Sequence, residues 1–175
     1  MPKNKTAARK STAAPLALLI GTRKGAFILH GDKAREKWKL SDGMFVGNII
    51  NHIVMDPRDR QTILLCARTG HLGPTIFRST DMGKSWKEAS KPPAFPKAPE
   101  GQKGLVLDHN FWLAPGHPSE PRVWYVGTSP PALFRSEDDG DTWEGVKGIN
   151  EHPKYGPPLE DQQGPPDGST LHSIM

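Results

Sequence analysis

Ile76-Phe77-Arg78-Ser79-Thr80-Asp81-Met82-Gly83-Lys84-Ser85-Trp86 returns 57 residues later as Leu133-Phe134-Arg135-Ser136-Glu137-Asp138-Asp139-Gly140-Asp141-Thr142-Trp143. A repeat of this length constrains the architecture before any single element is assigned. Each copy reads as a short apolar strand, a tight turn and a second strand opening on tryptophan. The turn chemistry is explicit in the residues. Ser79 and Asp81, with Ser136 and Asp138 in the second copy, can accept turn backbone amides. Gly83 and Gly140 supply the positive φ that such a turn needs. Trp86 and Trp143 are expected to pack between neighbouring sheets. Asp138, Asp139 and Asp141 suggest a calcium loop, but the later glutamate and flanking helices are absent, so neither a metal nor any other cofactor is expected.

Working outward, the same order of strands surrounds both copies. Before the first lie Ile49 to Met55, closed by Asp56-Pro57-Arg58-Asp59, then Thr62 to Arg68, then Thr75 to Arg78. A fourth strand follows around Trp86 to Glu88. Before the second lie Phe111 to Leu113, Arg122 to Thr128 and Ala132 to Arg135, with Trp143 to Val146 after it. Four antiparallel strands per unit, joined by short turns, make a propeller blade. The expected fold is therefore all-β, a partial β-propeller of four-stranded antiparallel blades, two complete and two incomplete. Blade one spans about 16–40, with strands at Leu16 to Thr22 and Gly25 to His30 and a worn turn carrying Asp32 and Trp38. Blade two spans about 49–88 and blade three about 108–146. His172-Ser173-Ile174 aligns with Asn51-His52-Ile53, so 171–175 reads as the start of a fourth blade. On this reading the chain is a fragment of a longer propeller. Its end blades would expose apolar faces, so missing blades or self-association are expected to cover them.

Bulk properties exclude several classes. The 175 residues include 18 Gly and 18 Pro, and mean hydropathy is −0.59, a composition of turns and short strands rather than helices. No apolar window is long enough for a membrane span. Leu16 to Ile20 is too short for a secretory core. With one cysteine, Cys66, in a strand-like apolar setting, the expectation is a cytoplasmic protein whose thiol packs as a small hydrophobe. The net charge of +4 is local. Lys3, Lys5, Arg9 and Lys10 lie in residues 1–15, and 23 cations less those four leaves 19, equal to the 19 acids. A disordered basic tail on a neutral body argues against a nucleic-acid-binding face.

Two proline-rich connections, Ala89 to Leu105 and Lys147 to Thr170, interrupt the rhythm where one blade passes to the next. Long loops of this kind either bind or cover something or are flexible insertions, and the sequence leaves both open. Aligning the inner strands on Pro57 and Pro115 sets Asn51 against His109 and His52 against Asn110, with His172 joining them. These residues are expected to ring one mouth of the channel with imidazoles and amides. They would either hold a polar ligand or satisfy one another and channel water. Arg23, Lys24 and Arg68, with His71 after Gly70, end the second strands near the same mouth. An arginine there can grip a carboxylate in bidentate fashion.

The Ser-x-Asp-x-Gly-x-Ser/Thr-Trp copies resemble the Asp box of bacterial-neuraminidase-type (BNR) repeats, found in sialidases and sortilin-like propellers. Thr22-Arg23-Lys24-Gly25-Ala26-Phe27, Asp56-Pro57-Arg58 and Thr170-Leu171-His172-Ser173-Ile174 extend the similarity to bacterial sialidase-like, glycosyl-hydrolase-like repeat proteins over residues 16–175. The resemblance implies a propeller and a carbohydrate or another polar small ligand. Sialidases use an arginine triad, an aspartate acid and a tyrosine–glutamate pair. Arg23 could stand for the first arginine, although the Arg-Ile-Pro motif is absent. Loop acids such as Asp108, Glu151, Glu160 and Asp161 are not paired by sequence. The chain is thus expected to recognise or scaffold rather than catalyse; as an enzyme it would be a glycosidase. The catalytic residues are not assigned.

Overall fold

The computed structural model describes residues 16–70, 73–157, 170–171 and 173–174. The basic segment 1–15, His71 and His172 lie outside the described residues. Three antiparallel sheets follow one another along the chain. The first contains β1 (Leu16–Thr22), β2 (Gly25–Gly31) and β3 (Trp38–Leu40), in that order. The second contains β4 (Ile49–Met55), β5 (Ile63–Thr69), β6 (Gly73–Ser79) and β7 (Lys87–Glu88), again in sequence order. The third contains β8 (His109–Pro115), β9 (Trp124–Ser129), β10 (Leu133–Ser136) and β11 (Glu144–Gly145). The described residues thus form two complete blades and one three-stranded blade of a partial propeller. One feature departs from the expectation of an irregular connection: Lys147–Asn150 forms a single helical turn, α1. Asn150 there bonds both the amide (2.8 Å) and the carbonyl (2.9 Å) of Leu133, extending the outer edge of blade three with a side chain.

The blades hold together because strand β5 is apolar on both faces. Ile63, Leu65 and Ala67 enter a cluster with Ala26 and Ile28 of blade one, and Leu64 and Cys66 enter a second with Leu113, Trp124, Val126 and Phe134 of blade three. Alternation along one strand therefore joins three sheets. The repeated turns close these interfaces, and they match bond for bond. The Ser79 hydroxyl donates to Asp81 (2.8 Å) and accepts from the Gly83 amide (2.8 Å); the Ser136 hydroxyl donates to Asp138 (2.8 Å) and accepts from the Gly140 amide (2.9 Å). Asp81 accepts the Lys84 and Ser85 amides and the Ser85 hydroxyl, and Asp138 accepts those of Asp141, Thr142 and Thr142. The Trp86 and Trp143 indole N–H groups donate to the Gly83 and Gly140 carbonyls. In blade one Trp38 makes the same bond to Arg35, which holds φ at 62° in place of a glycine. Burial follows the neighbour. Trp143 packs against blade two and is 2% exposed, Trp86 packs against blade one and is half-buried, and Trp38 is 39% exposed.

Arg58 adds a polar lock that the turn Asp56-Pro57-Arg58-Asp59 did not announce. Its guanidinium pairs with both oxygens of Asp56 at 2.8 Å and donates to the Glu120 (2.7 Å) and Val123 (3.0 Å) carbonyls of blade three. It also lies 5.3 Å from the centre of the Trp124 ring. Past the second connection, the Leu171 amide donates to the Thr128 carbonyl at 3.0 Å, and the Leu171 carbonyl lies 2.1 Å from where a Cβ on Gly127 would sit. No strand is assigned to 170–171 or 173–174.

Candidate functional site

The inner strands β4 and β8 both carry a bulge, at Asn51 and at Phe111. A bulge inserts one unpaired residue and re-aims the side chains beside it. It also shows the true equivalence of the two strands. His52 pairs with Cys66 and Trp112 with Gly127 at matching places, so His52 corresponds to Trp112 and Asn51 to Phe111. The alignment on the prolines is off by two residues. Pro115 is the last paired residue of β8, whereas Pro57 lies two residues beyond Met55, the last paired residue of β4. Proline marks where a strand stops, but the stop is not at the same step in each blade.

The corrected register changes what the polar pairs do. Asn51 Nδ2 donates to the Asn110 carbonyl at 3.1 Å, and His52 Nδ1 accepts the Leu113 amide at 3.0 Å. Both are backbone groups of β8, which among the described strands pairs only with β9 and so presents its other edge to blade two. Asn51 and His52 thus bind blade two to blade three rather than standing free around a mouth. Because Nδ1 accepts, the neutral ring carries its proton on Nε2. Burial lowers the His52 pKa below its usual value, which keeps the ring neutral. Asn110 is also unavailable: it is 1% exposed, and neither Oδ1 nor Nδ2 has a partner among the described residues. Arg23 and Lys24 sit exposed in the β1–β2 turn, where the Lys24 amide bonds Thr22 Oγ1 at 3.0 Å.

Two expected residues do meet, through a third that the register had not singled out. Arg68, next to last in β5, contacts Asp108 Oδ1 at 3.0 Å, and the other Asp108 oxygen takes His109 Nδ1 at 2.7 Å. The Asp108 amide bonds the Ser129 carbonyl at 2.8 Å, which continues the β8–β9 ladder by one step and holds the carboxylate in place. An ionised carboxylate only accepts, so His109 Nδ1 carries a proton and donates it to Asp108. Arg68 and Asp108 side chains are 49% and 45% exposed, while that of His109 is 9% exposed. The cluster therefore offers a half-exposed guanidinium and a largely sheltered imidazole, joined across two blades. Three residues along β8 stands Trp112, 37% exposed, its ring stacked on His52 at 4.3 Å and 17°.

The two long connections converge elsewhere. Pro92, Phe95 and Pro96 from the first, and Pro157 from the second, wall a cleft of about 490 Å³ whose floor is Phe134 and Trp143. A Lys91–Glu144 ion pair lies on its rim. It shares no residue with the Arg68–Asp108–His109 cluster. The proline spacing pointed to these loops, but not to the aromatic floor, which comes from blade three, the blade that lies between the two connections in sequence. Cys66 is fully buried, and burial pushes its thiol up, so it is unreactive. Among the described residues no three His, Cys, Asp or Glu side chains converge as a metal ion requires.

No family model matches the chain, and no curated protein matches it. Among solved structures, the crystal structure of a GH74 xyloglucanase from Xanthomonas campestris is similar at 19% identity with a TM-score of 0.44, over 69% of this chain and 18% of that enzyme. The chain spans less than a fifth of the length of that enzyme.

Proposed function

We propose that this chain is a ligand-recognition or scaffold module of an Asp-box (BNR-type) repeat propeller of the sialidase-like kind, and that it binds carbohydrate or another polar small molecule where Arg68, Asp108 and His109 meet. The observation that carries the reading is the engagement of both Asp108 oxygens, one by Arg68 and one by His109. This is a rigid, charge-assisted hydrogen-bonding edge. A single carboxylate held in this way is not the pair of carboxyls, about 5 to 9.5 Å apart, that most glycoside hydrolases use. The matched Ser-x-Asp-x-Gly turns support the repeat family, because their bonds explain each motif residue.

One observation favours a second reading, a glycoside hydrolase completed by sequence outside this chain. A histidine oriented by a carboxylate through Nδ1 is arranged as an acid–base group. A panel of fluorogenic glycosides separates the two. Recognition predicts binding without turnover and at least tenfold weaker binding in Arg68→Ala. Turnover abolished by His109→Ala would instead establish the enzyme.

A further inference from the structure

We infer that Trp112 is the platform on which a pyranose ring stacks, so that the ligand of the Arg68–Asp108–His109 site is a neutral saccharide. This rests on the recognition reading above and adds the ligand class to it. Trp112 differs from every other indole in the chain. Trp124 is fully buried and Trp143 is 2% exposed, both within the core between blades two and three. Trp86 packs on Phe45 at 5.4 Å. Trp38 lies on the outer strand β3, against Gly31. Trp112 alone stands on an inner strand, beside a bulge, with a third of its surface open.

Its geometry is that of a one-sided platform. His52 covers one face at 4.3 Å, nearly parallel at 17°, so the open surface belongs to the opposite face and the ring edge. The backing ring cannot drift, because His52 Nδ1 is tied to the amide of Leu113, the residue next to Trp112. The indole is therefore held in place before a ligand arrives, which lowers the ordering cost of binding. Its Nε1–H has no partner among the described residues and can donate to a hydroxyl. A pyranose ring has an apolar C–H face and a polar rim. An aromatic face serves the first, and guanidinium N–H groups with a carboxylate-oriented imidazole serve the second. The bulge sets the three residues from His109 to Trp112 against two steps of β9, Ser129 to Gly127, so strand rise puts them roughly 7 Å apart, within reach of one saccharide. Arg68 is already paired with Asp108, so its charge is compensated before a ligand arrives, which favours a neutral saccharide over an anionic one.

The test uses the 175-residue chain and neutral probes: methyl glucoside, cellobiose, lactose and xylobiose. Their binding is read by the shifts of the five indole N–H resonances in ¹⁵N-edited spectra. The expected result is that the Trp112 resonance moves on saturation, that Trp112→Ala weakens binding at least tenfold, and that Trp112→Phe keeps part of it. Trp38→Ala, a tryptophan of similar exposure, should bind unchanged. If Trp112→Ala does not fold, the wild-type resonances alone decide. Saccharide binding that leaves the Trp112 resonance in place, or that survives Trp112→Ala, overturns the platform and leaves the recognition reading standing. Binding of no probe by the wild-type chain, while a charged saccharide binds and Arg68→Ala removes it, also overturns the platform alone. Binding of neither class overturns both.

Discussion

At the residue scale, Arg58 and His52 hold the blades together by different physics. The Arg58 side chain is 11% exposed and that of Asp56 is 4% exposed, so removing the cation strands a buried carboxylate. Arg58→Met should cost about 3 to 5 kcal/mol in urea denaturation. Lys87→Ala, which breaks an exposed pair with Asp141 at 3.1 Å, should cost under about 1 kcal/mol. Equal losses from the two would show that Arg58 does not lock the interface. His52 carries a pH dependence. Its pKa is lower in the folded chain than the usual value of 6.5. Below that value the unfolded chain binds more protons, so stability rises with pH there. His52 thus contributes stability that is complete above pH 6.5 and is lost as the pH falls through the depressed value. The slope of stability against pH between 5 and 7 should be shallower in His52→Asn than in the wild type.

At the scale of the element, the repeated turn is a unit whose parts do separate jobs. Gly140 holds φ at 85°, and an added Cβ would lie 2.6 Å from Leu64 Cδ2 of the preceding blade. Gly140→Ala therefore meets both backbone strain and a side-chain clash, and should destabilise by about 2 to 4 kcal/mol, measured as a fall in denaturation midpoint. Gly148→Ala, at a position with open space around the Cβ, is the control and should change little. The aspartates behave as turn acceptors. The Ser85 hydroxyl, helped by the Ser85 amide and Ser79, draws the Asp81 carboxyl down to about 2. For Asp138, burial acts in the opposite direction, but the Thr142, Ser136 and Asp141 donors outweigh it and the net shift is downward. A depressed carboxylate stabilises above its unfolded pKa of 3.8 and loses that contribution as pH falls toward the folded value. Acid unfolding should thus steepen below about pH 4, and Asp138→Asn should flatten that limb.

At the scale of the whole molecule, stability is a property of neighbouring blades. Strand β5 has apolar residues on both faces and reports on both interfaces. Leu64→Ala should cost about 2 to 5 kcal/mol by opening a cavity against blade three. Cys66, one step along the same interface and fully buried, is a built-in probe. A thiol reagent should modify it only as fast as the blades part, so labelling should accelerate in Leu64→Ala. Rapid labelling of the wild-type chain would show that the interface is not closed in solution.

The sequence by itself determined the repeat, the sheet order within each blade, the turn chemistry and the packing of Trp86 and Trp143 between sheets. All of these follow from local rules: alternation of apolar side chains, glycine at positive φ, and side chains that bond backbone within five residues. The tertiary structure alone decided which polar groups are free. Asn51 and His52 look alike in sequence to a ligand-binding pair, yet they bond the edge of β8 in the next blade. Asp108 looks like a loop acid, yet it joins Arg68 to His109. Strand β8 pairs through Pro115 whereas β4 ends two residues before Pro57, so the prolines do not mark the register, and the equivalent bulges that do mark it leave no fixed residue signature. Partners some forty to sixty positions apart meet only once sheets stack, so their pairing is a matter of packing geometry rather than of composition or spacing.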